Sequence, residues 1–284
     1  MKLDTVLRLG RVSNLPTVWT NALAGAVLAS GTGAVPLAMV LVAALALSLF
    51  YVGGMWLNDA FDAEIDARER ASRPIPSGAA SRATVFRVGY LLLVLGMILS
   101  ATLGLAGALV GLALAGTVVL YDATHKKTAL APVIMGVTRF LAYMLGAVAV
   151  GGEGLGAVLI GAVGLFAYVV GLTYAAKQEA YDRIERAWPL AVLAIPVLLV
   201  LLQASISILI FAIAAGLIAV LAFALHRLFR RAPGDVPRAV VTMIAGIALY
   251  DAVLIAATGA AGLALAATAA FALTLLLQRV APGT

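Results

Sequence analysis

Ten apolar runs account for most of the chain and restrict it to one kind of fold. They occupy residues 14–32, 36–57, 83–102, 104–121, 131–151, 156–176, 188–203, 206–226, 238–258 and 261–278. A helix that crosses a bilayer takes about 20 predominantly apolar residues, and most of these runs are that long. Only 11% of the residues are charged while 64% are apolar, whereas a domain in water carries about a quarter charged. Backbone groups facing lipid must find their partners within their own segment. Continuous runs therefore predict helices rather than barrel strands, whose signature is alternation. The expected fold is all-α: a polytopic transmembrane bundle of nine to ten helices, forming a single domain over residues 1–284.

The links between the runs carry the orientation. One alternate set comprises 1–13, 58–82, 122–130, 177–187, 227–237 and 279–284, and holds nearly all of the 19 basic residues or borders the helix ends that do. The other set, at 33–35, near 103, 152–155, 204–205 and 259–260, has no Lys or Arg, and Glu153 is its one charge. Basic loops stay in the cytoplasm, so both termini and all long polar loops are expected on the cytoplasmic side of the cell (inner) membrane. The net charge of +6 then reads as topology, with the lipid bilayer as partner and no nucleic acid. A short basic segment (Lys2, Arg8, Arg11) precedes a first run that continues for a full span, which reads as an uncleaved first helix. The chain has no cysteine and two isolated histidines, His125 and His226. That excludes disulfides, thiolate metal sites and histidine-rich metal cages.

The run at 36–57 turns acidic at its end: Asn58-Asp59-Ala60-Phe61-Asp62-Ala63-Glu64-Ile65-Asp66. At about 100° per residue, Asp62 lies about 60° and Asp66 about 20° from Asp59, so the three share a stripe that Glu64 does not join. Carboxylates three and four apart repel one another, and a helix C-terminus is the wrong dipole end for them. A hard cation resolves both problems. Mg²⁺ takes oxygen ligands, commonly one or two carboxylates completed by waters and substrate phosphates. The bland alternative is a solvated acidic cap paired with Arg68, Arg70 and Arg73.

Beyond the stripe come Arg68, Arg70, Arg73 and Arg82, around Arg73-Pro74-Ile75-Pro76-Ser77-Gly78. Guanidinium groups hold phosphate bidentately, although each arginine also fits positive-inside topology. Carboxylates for a metal, arginines for phosphate and an apolar bundle beneath point to a ligand with a diphosphate head and a hydrocarbon tail.

The pattern Asn58-Asp59-x-x-Asp62-x-x-x-Asp66 followed by Arg73-Pro74-Ile75-Pro76-Ser77-Gly78 resembles the first aspartate-rich motif of the UbiA superfamily of intramembrane prenyltransferases. The entry Arg11-Val12-Ser13-Asn14-Leu15-Pro16-Thr17 is similar to the family's first-helix start. Tyr121-Asp122-Ala123-Thr124-His125-Lys126-Lys127, with Pro132 and Gly136 following, is similar to its loop after the fourth helix.

The resemblance implies a helical bundle open sideways to lipid, in which Mg²⁺ holds a polyprenyl diphosphate and a prenyl group passes to a small-molecule acceptor. Asn58, Asp59, Asp62 and Asp66 would serve metal and diphosphate. Lys126, with Arg11 or Arg73, would act as cationic helpers, and Arg68 and Lys127 as further diphosphate contacts. The family's second motif, DxxxD at the end of the sixth helix, is altered here to Lys177-Gln178-Glu179-Ala180-Tyr181-Asp182-Arg183. Gln178 offers a neutral oxygen to substrate, and Glu179 with Asp182 are the remaining acids for metal and catalysis. This change and a tenth span resemble a divergent branch, like the UbiA-like members of bacterial ebo clusters.

Arg139 and Asp251 are charges deep within apolar runs. Arg139 lies mid-helix, where a charge is expensive and usually functional or paired. It is either a cavity group for a phosphate or anionic acceptor, or half of an ion pair with Asp251. Trp19, Tyr51, Trp56, Tyr143 and Tyr174 can face an allylic cation or simply pack. The reading is a prenyltransferase whose acceptor is open among aromatic acids, quinone precursors, porphyrins, glycerol phosphate and sugars. The alternatives are a lipid-diphosphate binder that has lost catalysis, and a transporter, which needs polar groups reaching the outer face that this sequence lacks.

Overall fold

The computed structural model describes residues 1–31, 33–152, 154–177, 188–203 and 207–280. Each of the ten apolar runs is helical over its described residues. The elements are α1 (Leu3–Gly10), a 3-10 turn (Val12–Asn14), α2 (Leu15–Ser30), α3 (Leu37–Phe61), α4 (Ala63–Glu69), α5 (Arg82–Ala101), α6 (Leu105–Thr124), α7 (Ala131–Val150) and α8 (Leu155–Lys177). After them come a 3-10 segment (Trp188–Leu193), α9 (Ala194–Gln203), α10 (Ile208–Arg230), α11 (Asp235–Ala257) and α12 (Ala261–Leu277). No strand occurs among the described residues.

Local chemistry sets several helix ends. Ser81 and Ser207 accept hydrogen bonds from Thr84 N and Ile210 N, both at 3.2 Å, satisfying first-turn N–H groups that have no partner within the helix. Pro16 and Pro132 sit in the first turns of α2 and α7, where a missing N–H costs nothing.

The helical runs differ in length. Among the described residues, seven helices are long and apolar enough to cross a membrane: α3, α5, α6, α7, α8, α10 and α11. Helices α2 and α12, of 16 and 17 residues, are slightly shorter. The run at 188–203 starts as a 3-10 segment and leaves α9 ten residues, or about 15 Å against a core of about 30 Å. Pro196 keeps a regular helix from running through from 188, since proline has no N–H to donate, and falls instead in the first turn of α9. Helices α1 and α4 lie outside the runs and raise the total among the described residues to twelve α-helices. The protein is a multi-pass membrane protein.

Packing divides the bundle into two halves that share α2 and α7. Buried side chains of α3, α5 and α6 pack on one side of that pair, and those of α8, α10, α11 and α12 on the other. Helix α11 is the inner post: 83% of its spanning window is buried, against 28–56% for the other six. Leu41, Leu91, Ile98, Leu109, Leu112 and Phe211 point outward, as suits a lipid-facing surface.

The seam between α2 and α7 depends on missing side chains. A Cβ on Gly25 would meet the Tyr143 carbonyl oxygen at 2.2 Å, and one on Gly146 the Ala22 carbonyl oxygen at 2.3 Å. Small residues let membrane helices approach backbone to backbone, where packing rather than hydrophobicity drives association. This approach fixes the two helices that carry Asn21 and Arg139.

Candidate functional site

The acidic stripe survives the end of α3. Asp62 N donates to the Asn58 carbonyl at 2.9 Å and Asp66 N to the Asp62 carbonyl at 2.8 Å. Helical register therefore passes through Asp62 into α4. Asn58, Asp59, Asp62 and Asp66 are all buried, at 4–9% exposure. Glu64 faces away, with its side chain 75% exposed and paired with Arg82 at 3.0 Å, as the helical spacing requires.

Each buried carboxylate has a different environment. Asp59 Oδ1 accepts from Arg73 Nη1 at 2.9 Å and from Arg11 Nη2 at 3.2 Å. Arg11 reaches it from the left-handed junction after α1 (φ 42°) and also donates to Asn58 Oδ1 at 3.4 Å. Asp62 Oδ2 lies 3.2 Å from His125 Nε2 and 3.6 Å from Lys126 Nζ. Asn58 Nδ2 donates to Asp122 Oδ1 at 3.1 Å, joining the ends of α3 and α6. The other Asp122 oxygen is buried with no hydrogen-bond partner, and the Asp66 side chain forms no hydrogen bond among the described residues.

These environments move the carboxyls in opposite directions. Burial opposes ionisation of Asp62, but the hydrogen bond and charge of His125, with Lys126, outweigh it and hold its pKa below the ordinary 3.8. Burial raises Asp66, and Asp59 and Asp62 add repulsion that Arg73 only partly offsets. Burial and the nearby Arg11 likewise lower Arg73. Folding therefore favours ionised Asp62 and penalises ionised Asp66.

The Asp62 contribution to stability is present above its unfolded value of 3.8 and is lost as pH falls through the lower folded value. The penalty at Asp66 is absent below 3.8 and complete above its raised folded value. Asp66→Asn should therefore raise the thermal midpoint of the unliganded protein at pH 7, and the gain should shrink on acidification toward pH 4. Asp62→Asn should lower it at pH 7. Scanning fluorimetry from pH 4 to 8 checks both signs.

Among the described residues, no three Asp, Glu or His side chains converge as a ready metal-holding group. Asp59 is turned toward two arginines and Asp62 toward His125 and Lys126. Even so, the donor set fits a hard cation. The orphaned Asp122 oxygen is a buried acceptor without a donor, which is expensive, and Asp66 accepts no hydrogen bond among the described residues.

Of the other residues expected at the site, Arg68 and Lys127 are exposed and form no ion pair among the described residues. Tyr174 is half-buried on α8 and packs against the larger core half. Gln178, Glu179 and Asp182 lie outside the described residues. Lys177, immediately before them, donates to the carbonyls of His125 and Thr128 at 3.0 and 3.1 Å, which places the end of α8 against the His125 loop.

Asp122 and His125 join the site although neither carries an assignment from sequence. Their signal is the polar end of the fourth run, Tyr121-Asp122-Ala123-Thr124-His125-Lys126-Lys127. That segment shows an acid and a base, but not that Asn58 and Asp62 are their partners.

A cavity of about 580 Å³, counted with its opening to solvent, lies between α2, α3, α6 and α7 with Tyr121 and Asp122 in its lining. Its walls include Val18, Leu47, Phe50, Leu114 and Val118, and it also meets Tyr51 and Arg139. Of the five aromatics singled out above, Tyr51 alone lines it. Arg139 and Asp251 make no direct ion pair. Arg139 Nη1 donates to Asn21 Oδ1 at 2.7 Å, and Asn21 Nδ2 donates to Asp251 Oδ2 at 2.7 Å.

The model of the UbiA prenyltransferase family matches residues 18–247. A digeranylgeranylglyceryl phosphate synthase of Metallosphaera sedula is 35% identical over 126 residues, 44% of either chain. That of Saccharolobus solfataricus is 29% identical over 150 residues, 52% of this chain and 53% of the relative. The chain spans about half the length of the curated relatives it matches.

A solved digeranylgeranylglyceryl phosphate synthase superposes with a TM-score of 0.65 at 21% identity, covering 90% of this chain and 98% of that one. A UbiA homolog from Aeropyrum pernix K1 gives 0.66 at 18% identity, covering 87% and 97%. One from Archaeoglobus fulgidus, bound to GPP and Mg²⁺, gives 0.60 at 16% identity, covering 88% and 99%. These likenesses are of fold, and the family match covers the acidic stripe, the His125 loop and the cavity walls. The chain belongs to the UbiA prenyltransferase family.

Proposed function

We propose that the protein is an intramembrane prenyltransferase, moving a prenyl group from a Mg²⁺-bound polyprenyl diphosphate to a small-molecule acceptor. One observation carries the reading. Asp66 and the orphaned oxygen of Asp122 share the acidic helix end with Asp59 and Asp62, which draw in three cations, Arg11, Arg73 and Lys126, and Asp122 itself lines an apolar cavity. A diphosphate with a hydrocarbon tail matches each part. The family match and the Archaeoglobus homolog bound to GPP and Mg²⁺ support it. By the charge pattern of the loops, the site and both termini face the cytoplasm of the cell (inner) membrane.

Arg11 and Arg73 hold Asp59 while no diphosphate is present, and Lys126 lies against Asp62. An arriving diphosphate takes those donors, since guanidinium binds phosphate bidentately, and frees Asp59 and Asp62 to join Asp66, Asn58 and Asp122. Mg²⁺ held by these residues would supply neutralisation of the departing oxyanion. Glu179, Asp182 and Gln178 complete the ligand set, and Arg68 and Lys127 add charge attraction from the surface. The C–O bond breaks with its electron pair leaving on the diphosphate. The acceptor's nucleophile bonds to the prenyl carbon and then loses its proton. Val18, Leu47, Phe50 and Leu114 keep water from the tail and the allylic carbon, and Tyr51 and Tyr121 present ring faces to developing positive charge.

A binding protein without catalysis shares every step before C–O cleavage, and the altered set Gln178, Glu179 and Asp182 favours it. Pyrophosphate release separates the two. Purified protein given geranyl diphosphate, Mg²⁺ and a panel of acceptors should release pyrophosphate. Tight Mg²⁺-dependent binding with no release would leave the binder, and no binding would sink both.

A further inference from the structure

Arg139 makes no hydrogen bond or ion pair with the acidic stripe, yet it places a charge inside the bundle, where charge is costly. It lies eight residues into α7, about 12 Å along the helix from Ala131, and faces the cavity between Tyr51 and Ala142. A cation at that depth is retained only where it is paired or used.

Its pairing inside the protein is incomplete. One hydrogen bond, from Nη1 to Asn21 Oδ1, engages it, and its other donors have no partner among the described residues. Asp251, the nearest candidate counter-ion, is already satisfied: one oxygen accepts from Tyr143 Oη and the other from Asn21 Nδ2. Asn21 thus turns its carbonyl to the arginine and its amide to the acid. The network closes without requiring a direct contact between the two charges.

The same groups fix how Arg139 is presented. The guanidinium carbon lies 5.8 Å from the centre of the Tyr51 ring, and Tyr51 is itself held by a hydrogen bond from Asn14 Nδ2 at 3.1 Å. A planar fork, restrained by an aromatic face and one amide and open to an apolar chamber, is a receptor for an oxyanion. Guanidinium pairs bidentately with carboxylate and phosphate, and apolar walls strengthen that attraction.

We propose that Arg139 is the specificity residue for the acceptor, binding a carboxylate or phosphate group on a small, otherwise apolar molecule. Asn21, Asp251, Tyr143 and Tyr51 are positioning residues that act through it. The proposal rests on the transferase reading for naming its ligand the acceptor. The anion site itself can be tested separately.

Equilibrium binding of 4-hydroxybenzoate, phenyl phosphate and phenol to the full chain in nanodiscs provides the test. At least one of the two anions should bind about tenfold or more tightly than phenol, and the better anion distinguishes carboxylate from phosphate. Arg139→Gln should lose that preference while still binding phenol, and Arg139→Lys should keep part of it. Equal binding of phenol and both anions by the wild type overturns the proposal, and so does an undiminished preference in Arg139→Gln. Should the glutamine variant fail to fold, the wild-type comparison and the lysine variant decide. Mg²⁺-dependent geranyl diphosphate binding, measured on the same wild-type sample, reports the acidic site. Its absence would sink the transferase reading and leave the anion result standing on its own numbers.

Discussion

Asp62→Asn and Asp66→Asn should each lower Mg²⁺-dependent prenyl transfer by about 100-fold or more, while Glu64→Gln leaves it unchanged. The size follows from the term removed. Charge stabilisation of a leaving oxyanion in a site shielded from water is usually the largest part of such a rate enhancement, and loss of one preorganised group costs about 10²–10³-fold. The contrast with Glu64 tests geometry rather than acidity. All three residues lie within a few positions of one another, but Glu64 is solvent-facing and bound to Arg82. The two aspartate variants should also part in stability at neutral pH, with Asp66→Asn the steadier protein. Opposite effects on stability and function at one residue mark a group held in a costly state for use.

Gly25→Val and Gly146→Val should each leave little folded protein. The added side chains would lie 2.2 and 2.3 Å from carbonyl oxygens of the facing helix, and backbone cannot rotate away as a side chain can. Overpacking a core typically costs about 1–3 kcal/mol, occasionally more. Here relief requires separating α2 from α7, the pair shared by both halves of the bundle. Yield of monodisperse protein after detergent extraction checks this. A comparison with Gly116→Val or Gly262→Val, where a Cβ would meet nothing within 4 Å, separates the packing effect from the general cost of replacing glycine.

Much of this was legible from order along the chain, because it depends on neighbours in sequence. The ten apolar runs are helical over their described residues, and 3.6-residue periodicity placed Asp59, Asp62 and Asp66 on a buried face with Glu64 outside it. Span length was less legible. The composition of 188–203 suits a membrane helix, but with Pro196 in its path only Ala194–Gln203 is regular α-helix.

What depends on long-range contact was not readable. The His125–Asp62 contact is separated by 63 residues and Asn58–Asp122 by 64, and only packing of α3 against α6 brings them together. Arg139 and Asp251 were recognisable as buried charges that needed an explanation. That Asn21 stands between them, 118 residues from one and 230 from the other, could come only from the fold. The family resemblance carried the diphosphate reading further than spacing alone, since three acids on a stripe are also consistent with a solvated cap.

The most direct measurement is binding of geranyl diphosphate to purified protein, with and without Mg²⁺, in the wild type, Asp66→Asn and Glu64→Gln. The account predicts Mg²⁺-dependent binding by the wild type and by Glu64→Gln, and its loss in Asp66→Asn despite that variant's higher thermal midpoint. Binding that ignores Mg²⁺, or that survives intact in Asp66→Asn, would contradict it.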